Sequence, residues 1–191
     1  NVVFAKTSPT FMQNLVSLDT DMNITGNLTI NARSKLVQTA SDVIVGGTLS
    51  HQASTDLYVS GGNSITCNDL ALDGHLMVDG GTFTVQDDFT QEVGSQLSVE
   101  DGFFILDAPY TGNHISILGY VVVNGGSFQI TNDGIQFGAS NSFLLVGGNL
   151  KLGGGLRAIN PSTFMQTTGT IEFTGTRSAS IELAAGNYLH N

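Results

Sequence analysis

Hydrophobic and polar residues alternate along this chain in short runs that are interrupted by glycine. The clearest run lies at 76–85, where Leu76, Val78, Phe83 and Val85 occupy every second position on either side of a Gly-Gly pair. Such alternation is typical of strands with one buried face, and adjacent glycines reach backbone angles that other residues adopt only at a cost. We therefore predict two short strands that bury these four side chains and meet at a glycine corner.

The same run recurs along the chain, which indicates a repeat. Further copies lie at 22–30, 43–49, 57–62, 97–106, 121–130 and 144–152. The last apolar residue before each corner falls at 24, 45, 59, 78, 99, 123 and 146, at intervals of 21, 14, 19, 21, 24 and 23. Intervals of about twenty residues predict a solenoid, in which Val45, Val78, Val99 and Val123 should stack in one vertical file. The interval of 14 does not fit this alignment.

The segments between the corners predict the fold class. They contain further short apolar runs but no convincing helix, at 69–72, 89–91, 114–117 and 135–137. Three short strands in each turn of the chain predict an all-β parallel β-helix of about eight to nine coils, in which each coil buries its apolar face against its neighbours. A β-sandwich also fits regularly spaced short strands, whereas the leucine-rich repeat signature is missing.

The first 21 residues depart from the repeat. Phe11, Leu15, Leu18 and Met22 are spaced so that they would line one face of a short helix, which would cap the first coil. An irregular first coil is the alternative. We therefore divide the chain into a cap or irregular coil at 1–21 and a β-solenoid at 22–191, which is open to continuation beyond its C-terminus.

The charge of the chain restricts its partners. Asp and Glu number 16 against 6 Lys and Arg, and no Lys or Arg lies between Lys35 and Lys151. Nucleic acid requires clustered cations, so it is a poor partner, as is an anionic membrane surface. We expect no membrane insertion either, because no run of about 18 apolar residues is present. Few charges and a Thr- and Asn-rich surface suit an extracellular or cell-surface protein.

Little in the sequence points to catalysis. Stacked coils could bring Asp79, Asp88 and Asp101 together, either as oxygen ligands for Ca²⁺ or as the carboxylate pair of a glycosidase. The four histidines lack metal-ligand spacing, and the single cysteine, Cys67, has no base-like neighbour in sequence and is expected to be buried. We therefore assign no catalytic residue, metal or cofactor, and keep a carbohydrate-active enzyme for neutral polysaccharides as an alternative.

Side chains that point outward just before the corners form a candidate interface. Contiguous exposed apolar surface usually marks a contact with another molecule, although a loop of the same chain could cover it. Five of these outward positions are large and apolar: Ile44, Tyr58, Met77, Val122 and Leu145.

Side chains that point outward just after the corners suggest a second alternative. Thr82 and Thr84 continue a series of polar pairs at 27/29, 48/50 and 64/66, and this series resembles the threonine rows of ice-binding solenoids. Phe103 and Ile105 interrupt it in the next coil. A binder of ice or another ligand is therefore an alternative function.

The Val-x-Gly-Gly-x-Phe-x-Val motif, together with the Gly-Ser-Gln-Leu-Ser-Val run at 94–99, resembles the right-handed β-helix of large bacterial surface and haemagglutinin-like adhesin proteins. The resemblance extends from Met22 over nearly the whole chain. It implies a non-enzymatic extracellular rod, a segment of an adhesin or a subunit of a filament. Such a rod would associate end to end or laterally with its own copies, or with other surface proteins or glycans. Pectate lyases share this architecture, but their groove uses Arg or Lys, which this chain lacks at 36–150.

Overall fold

The alternating runs fold into short strands that wind into a parallel β-solenoid. The structure is a computed structural model that describes residues 1–5, 15–32, 34–109, 114–138, 142–161, 163–176, 178–187 and 189–190. Within those ranges the chain forms 23 strands and no helix.

In chain order the strands are β1 (Val2–Phe4), β2 (Leu15–Leu18), β3 (Met22–Ile24), β4 (Leu28–Ile30), β5 (Lys35–Gln38), β6 (Val43–His51), β7 (Asp56–Ser60), β8 (Ser64–Leu72), β9 (His75–Asp79), β10 (Thr82–Val85), β11 (Phe89–Gln91), β12 (Gln96–Val99), β13 (Phe103–Leu106), β14 (His114–Ile117), β15 (Tyr120–Val123), β16 (Ser127–Ile130), β17 (Gly134–Phe137), β18 (Ser142–Leu145), β19 (Asn149–Leu152), β20 (Leu156–Ala158), β21 (Phe164–Gln166), β22 (Thr170–Phe173) and β23 (Ile181–Leu183). The predicted runs at 69–72, 89–91, 114–117 and 135–137 all lie in strands.

These strands stack in three sheets. Sheet A follows the order β1-β4-β6-β8-β10-β13-β16-β19-β22, with β3 added on β6 and β11 on β8. Sheet B follows β2-β5-β7-β9-β12-β15-β18-β21, and sheet C follows β14-β17-β20-β23. Every ladder between these strands is parallel, and the eight strands of sheet B mark eight coils. The predicted fold class is confirmed.

The run at 76–85 forms β9, a corner and β10, as predicted. Leu76, Val78, Phe83 and Val85 are all fully buried. Gly80 has φ of +78°, in the left-handed region that favours glycine. The corner therefore depends on glycine for its backbone conformation.

The predicted vertical file is correct for three of its four valines. Val78, Val99 and Val123 stack in sheet B, whereas Val45 lies in sheet A beside Cys67. The file in sheet B runs through positions 18, 38, 59, 78, 99, 123, 145 and 166, at intervals of 20, 21, 19, 21, 24, 22 and 21. The irregular interval of 14 arose because the alignment passed from one sheet to another.

Two local features explain this error. The glycines after Val45 lie inside β6, at a shift of register between Val45 and Thr48, and not at a corner between sheets. The corner of that coil is instead glycine-free and follows Gln38, which takes the place of an apolar residue in the sheet B file. The buried Gln38 amide donates hydrogen bonds to the backbone carbonyls of Ser41 and, at 2.7 Å, Ser64. A side chain here stabilises the turn that glycines form elsewhere.

In the described part of the first 21 residues, the chain forms the strands β1 and β2 and no helix. Leu15 and Leu18 lie in β2, which pairs with β5, and Met22 begins β3. Phe11 lies outside the described residues. The helical spacing at Leu15, Leu18 and Met22 therefore does not report a helix.

Aromatic stacking fills the core of the later coils. The Phe104 ring centroid lies 5.6 Å from that of Phe83 and 5.2 Å from that of Phe128, and both pairs are stacked. Phe143 and Phe164 stack in the same way at 5.6 Å. Such pairs add to the stability that burial alone provides.

Candidate functional site

The outer face of sheet B carries an ordered set of apolar side chains that point away from the core. We call it the outer row, and its members stack in register over eight coils: Ser17, Val37, Tyr58, Met77, Ser98, Val122, Leu144 and Met165. Six of the eight are large apolar or aromatic residues, and those six are partly or well exposed. Coils about 4.8 Å apart give the row a length of about 34 Å.

The structure places three of the five candidate interface residues in this row. Tyr58, Met77 and Val122 lie there as predicted. Leu145 does not, because it is fully buried in the core, and the outward orientation predicted for it is wrong. Leu145 is in register with Val123, and the apolar Val146 takes the position before the glycines that Asn124 holds in the neighbouring coil. The sequence pattern took Val146 for the last core residue, and a shift of one residue reverses the predicted face of every side chain.

Ile44 is exposed, at 49%, but it lies on a different sheet. It belongs to sheet A, where Asn23 and Thr66 flank it in register. Its placement in the same row as Tyr58 is therefore wrong, since the glycines that follow Ile44 belong to a different part of the coil.

The sequence alignment missed Val37 and Met165 for a related reason. Both precede a glutamine that occupies the apolar position of the sheet B file, Gln38 and Gln166. Each buried amide donates a hydrogen bond to the carbonyl three residues later, and the bond from Gln166 to Gly169 is 2.9 Å long. The signal in the sequence was a glutamine about twenty residues from the neighbouring core position of the file, as with Gln166 and Leu145.

Polar side chains line one border of the outer row. The Lys35 ammonium lies 4.2 Å from the ring centroid of Tyr58, close enough for a cation–π contact. In the coils above, Asp56 Oδ1 lies 3.6 Å from His75 Nδ1. The edge of the Tyr58 ring packs against the His75 ring, with 6.2 Å between the centroids.

A cavity of about 300 Å³ opens beside this border, where the chain enters sheet B. Asp56, Asp73, His75 and Gln96 contribute to its lining. Ser98 lies next to it, with its Oγ 3.5 Å from His75 Nε2, and it accepts a 3.1 Å hydrogen bond from the Gln96 amide. A carboxylate and an imidazole on the border therefore lie beside a hydroxyl of the outer row.

The three carboxylates considered for glycoside hydrolysis do not form one group. Asp79 and Asp101 lie near the corner between sheets B and A, whereas Asp88 lies beyond β10, just before β11. The length of this four-residue strand, about 13 Å, separates Asp88 from the other two carboxylates. This distance is too large for all three to bind one metal ion. The described residues contain no group of three or more His, Cys, Asp or Glu that could hold a metal ion.

The threonine row is shorter than predicted. Thr82 and Thr84 stack on Ser64 and Thr66 in sheet A, and Phe103 and Ile105 follow in the next coil. Thr29 lies in β4, which begins just after Asn27, whereas Thr48 and Ser50 lie in the later half of β6, in register with Asp69 and Ala71 and not with Ser64 and Thr66. The polar row on sheet A is thus two coils deep.

Two buried titratable groups remain neutral. His51 is 1% exposed between Ile30 and Leu72, and both of its ring nitrogens are buried without a hydrogen-bond partner. Burial lowers the pKa of His51 to about 3. Burial likewise raises the pKa of the Cys67 thiol to about 12. Cys67 is therefore a small core residue and not a nucleophile.

No family model, curated protein or solved structure matches this chain. Its class therefore follows from its own architecture, which is that of a parallel β-solenoid repeat protein. Across the described ranges, no helix is long and apolar enough to cross a membrane.

Proposed function

We propose that this protein is a structural and adhesive rod that acts outside the cell, as a segment of a surface adhesin or as a filament subunit. In this proposal the rod pairs side by side with a second copy through the outer row. The observation that carries it is the alignment of six large apolar side chains in register along one face, because solvated sheet faces normally carry polar residues at such positions.

The dimensions of the outer row predict a weak contact for one chain. The outer row is about 34 Å long, and the strands of about four residues that cross it are about 13 Å long, so the face has an area of about 450 Å² on each partner. Together the two faces would bury about 900 Å², in the range of weak or transient interfaces. Contacts that repeat along a longer rod would add through effective concentration, which suits a filament or a surface stalk.

The charge of the chain adds a condition to this pairing. The net charge is −10, and Asp79 and Glu100 lie along the border of the outer row opposite His75. Two such faces repel each other, and salt screens charges that lie more than about 10 Å apart at 0.1 M. We therefore expect pairing to strengthen as salt is added, in contrast to an interface held by ion pairs.

Sedimentation analysis over a range of chain concentrations tests the proposal. We expect the mean mass of the wild-type chain to rise with concentration and with salt. The variant Met77→Asp with Val122→Asp should remain monomeric, because each substitution places a charge in the middle of the row. Thr66→Asp with Thr84→Asp, on the outer face of sheet A, is the matched control and should associate like the wild type. A wild-type mass that stays monomeric, or equal masses for both variants, would refute the proposal.

A further inference from the structure

Three successive coils place a carboxylate and an imidazole on the border of the outer row next to a hydroxyl inside the row. Asp56 lies at the start of β7, His75 at the start of β9, and Ser98 inside β12. The distances are 3.6 Å from Asp56 Oδ1 to His75 Nδ1 and 3.5 Å from His75 Nε2 to Ser98 Oγ. The two contacts use different ring nitrogens, which is the arrangement that a nucleophile, a base and an orienting acid require.

We propose that Asp56, His75 and Ser98 form a hydrolytic site for short-chain carboxylic esters, with Ser98 Oγ as the nucleophile. This activity goes beyond the structural role of the rod, which does not need it. Loose contacts of about 3.5 Å are common in unliganded sites of this kind and tighten when substrate binds.

The contacts of His75 favour the required tautomer. The Asp56 carboxylate lies 3.6 Å from Nδ1, beyond hydrogen-bond distance, and its charge favours a proton on that nitrogen, which leaves Nε2 to accept the proton of Ser98. The Gln96 amide donates to Ser98 Oγ at 3.1 Å, which agrees with a hydroxyl whose own proton points to His75. The edge-on contact with Tyr58 holds the imidazole ring in place.

The reaction needs only the ester and water. Ser98 Oγ attacks the carbonyl carbon while its proton passes to His75 Nε2, and the alkoxide leaves as an alcohol with that same proton. Water then attacks the acyl-serine, gives a proton to His75, and the carboxylic acid leaves as the proton returns to Ser98 Oγ. The sum is one ester and one water converted to one acid and one alcohol.

The adjoining cavity restricts the substrate. Its volume of about 300 Å³ accepts only a small acyl or alcohol group, and Asp56 and Asp73 in its lining disfavour anionic substrates. Ser98 is 3% exposed, and Gln96 is its half-exposed hydrogen-bond neighbour. A substrate that displaces the Gln96 side chain would make Ser98 accessible. The N–H of the Gln96 side-chain amide would then be free to stabilise the developing oxyanion.

A second copy on the outer row would cover Ser98, so the activity belongs to the unpaired chain. The assays therefore use dilute protein and are repeated on Leu144→Asp, which places a charge in the row two coils away from Ser98. If the chain does not pair through the outer row, the test of ester hydrolysis is unaffected.

A fluorophosphonate probe and p-nitrophenyl acetate test the site directly. We expect one covalent adduct on Ser98 by mass spectrometry, and its loss in Ser98→Ala. Ester hydrolysis should fall by about 10²- to 10⁴-fold in His75→Gln, the range for loss of a general base. Asp56→Asn should lower kcat with little change in KM, and Ser116→Ala, an exposed serine in sheet C, should behave as wild type. An unlabelled Ser98, or equal rates for wild type and Ser98→Ala, would overturn the proposal.

A cysteine in place of the nucleophile separates activation from a structural role. In Ser98→Cys, a neighbouring imidazole should favour the thiolate, so alkylation by iodoacetamide at pH 6 should be about tenfold faster than in Ser98→Cys with His75→Gln. Cys67 serves as an internal control, because burial makes it unreactive. Equal alkylation rates in two variants with wild-type circular dichroism would show that His75 does not activate this position.

Discussion

The early and late coils of this solenoid reach the same cross-section with different cores. The early coils, up to β9, pack aliphatic side chains and also bury Gln38, His51 and Cys67. The late coils replace these by stacked rings centred on Phe104 and Phe143. The comparison shows that the register of the strands determines which positions face the core. The type of side chain at those positions can vary between aliphatic, polar and aromatic.

The two halves also differ in how their strands are used. β6 and β8 each continue for nine residues through a position where the later coils divide into a strand of sheet A and a strand of sheet C. The early coils therefore hold together through long ladders, whereas the late coils combine shorter ladders with aromatic contacts. We expect the late half to depend more strongly on single large side chains.

The largest expected effect comes from the aromatic stack. Phe104→Ala removes a ring that contacts Phe83, Phe89 and Phe128, and it should lower the free energy of unfolding by about 3–5 kcal/mol. Leu57→Ala in the early half is the matched comparison and should cost less, because a smaller side chain is lost. Urea unfolding measures both. An equal or smaller cost for Phe104→Ala would show that ring stacking does not distinguish the halves.

The buried histidine should make the early half sensitive to acid. The pKa of His51 is about 3 in the folded chain and 6.5 ordinarily, so below pH 6.5 the unfolded chain takes up a proton that the folded chain does not. Stability should therefore fall as the pH falls from 6.5 toward 3, by about 1.4 kcal/mol for each pH unit from this group.

The variant His51→Leu isolates that contribution. Leucine fits the file between Ile30 and Leu72 and leaves no unpaired nitrogen, so we expect a gain of about 1–3 kcal/mol at pH 7. The difference in unfolding free energy between variant and wild type should widen as the pH is lowered to 4. If the unfolding free energies of variant and wild type change in parallel over this pH range, the buried, unpaired state of His51 is contradicted.

A smaller effect should distinguish the two glutamine corners. Gln38→Val leaves two backbone carbonyls, those of Ser41 and Ser64, without the amide. Gln166→Val leaves one carbonyl, that of Gly169, and removes the acceptor of the His190 N–H near the C-terminus, where His190 is exposed. Each carbonyl left unpaired costs about 1–3 kcal/mol, partly offset by the apolar side chain. We expect Gln38→Val to be the more destabilising in urea unfolding. The reverse order would show that these bonds do not stabilise the glycine-free corner.

The fold could be predicted because the positions of the apolar residues show both the repeat of about twenty residues and the alternation within each strand. Leu76, Val78 and Phe83 follow the rule that alternate strand residues face the core. The rule failed at Val45, whose glycines lie inside β6, and at Leu145, where the apolar Val146 stands between the last core residue and the glycines. A shift of one residue reverses the face, and periodicity alone cannot locate such shifts.

The site was less predictable than the fold. Asp56, His75 and Ser98 come from three coils and are separated by 19 and 23 residues, so no fixed spacing marks them. Only the register of β7, β9 and β12 brings them together. The same register reveals the outer row, in which Val37 and Met165 precede glutamines, whereas the other members precede apolar core residues.

Stacking of coils in register is the claim on which the outer row and the hydrolytic site both depend. Pulsed electron paramagnetic resonance between spin labels at Val37→Cys and Met165→Cys measures it, since the buried Cys67 does not take up label. Six coil steps of about 4.8 Å predict a separation of about 29 Å along the row. A narrow distance distribution near that value would support the account, whereas a separation below about 15 Å would require a different packing of these strands and contradict it.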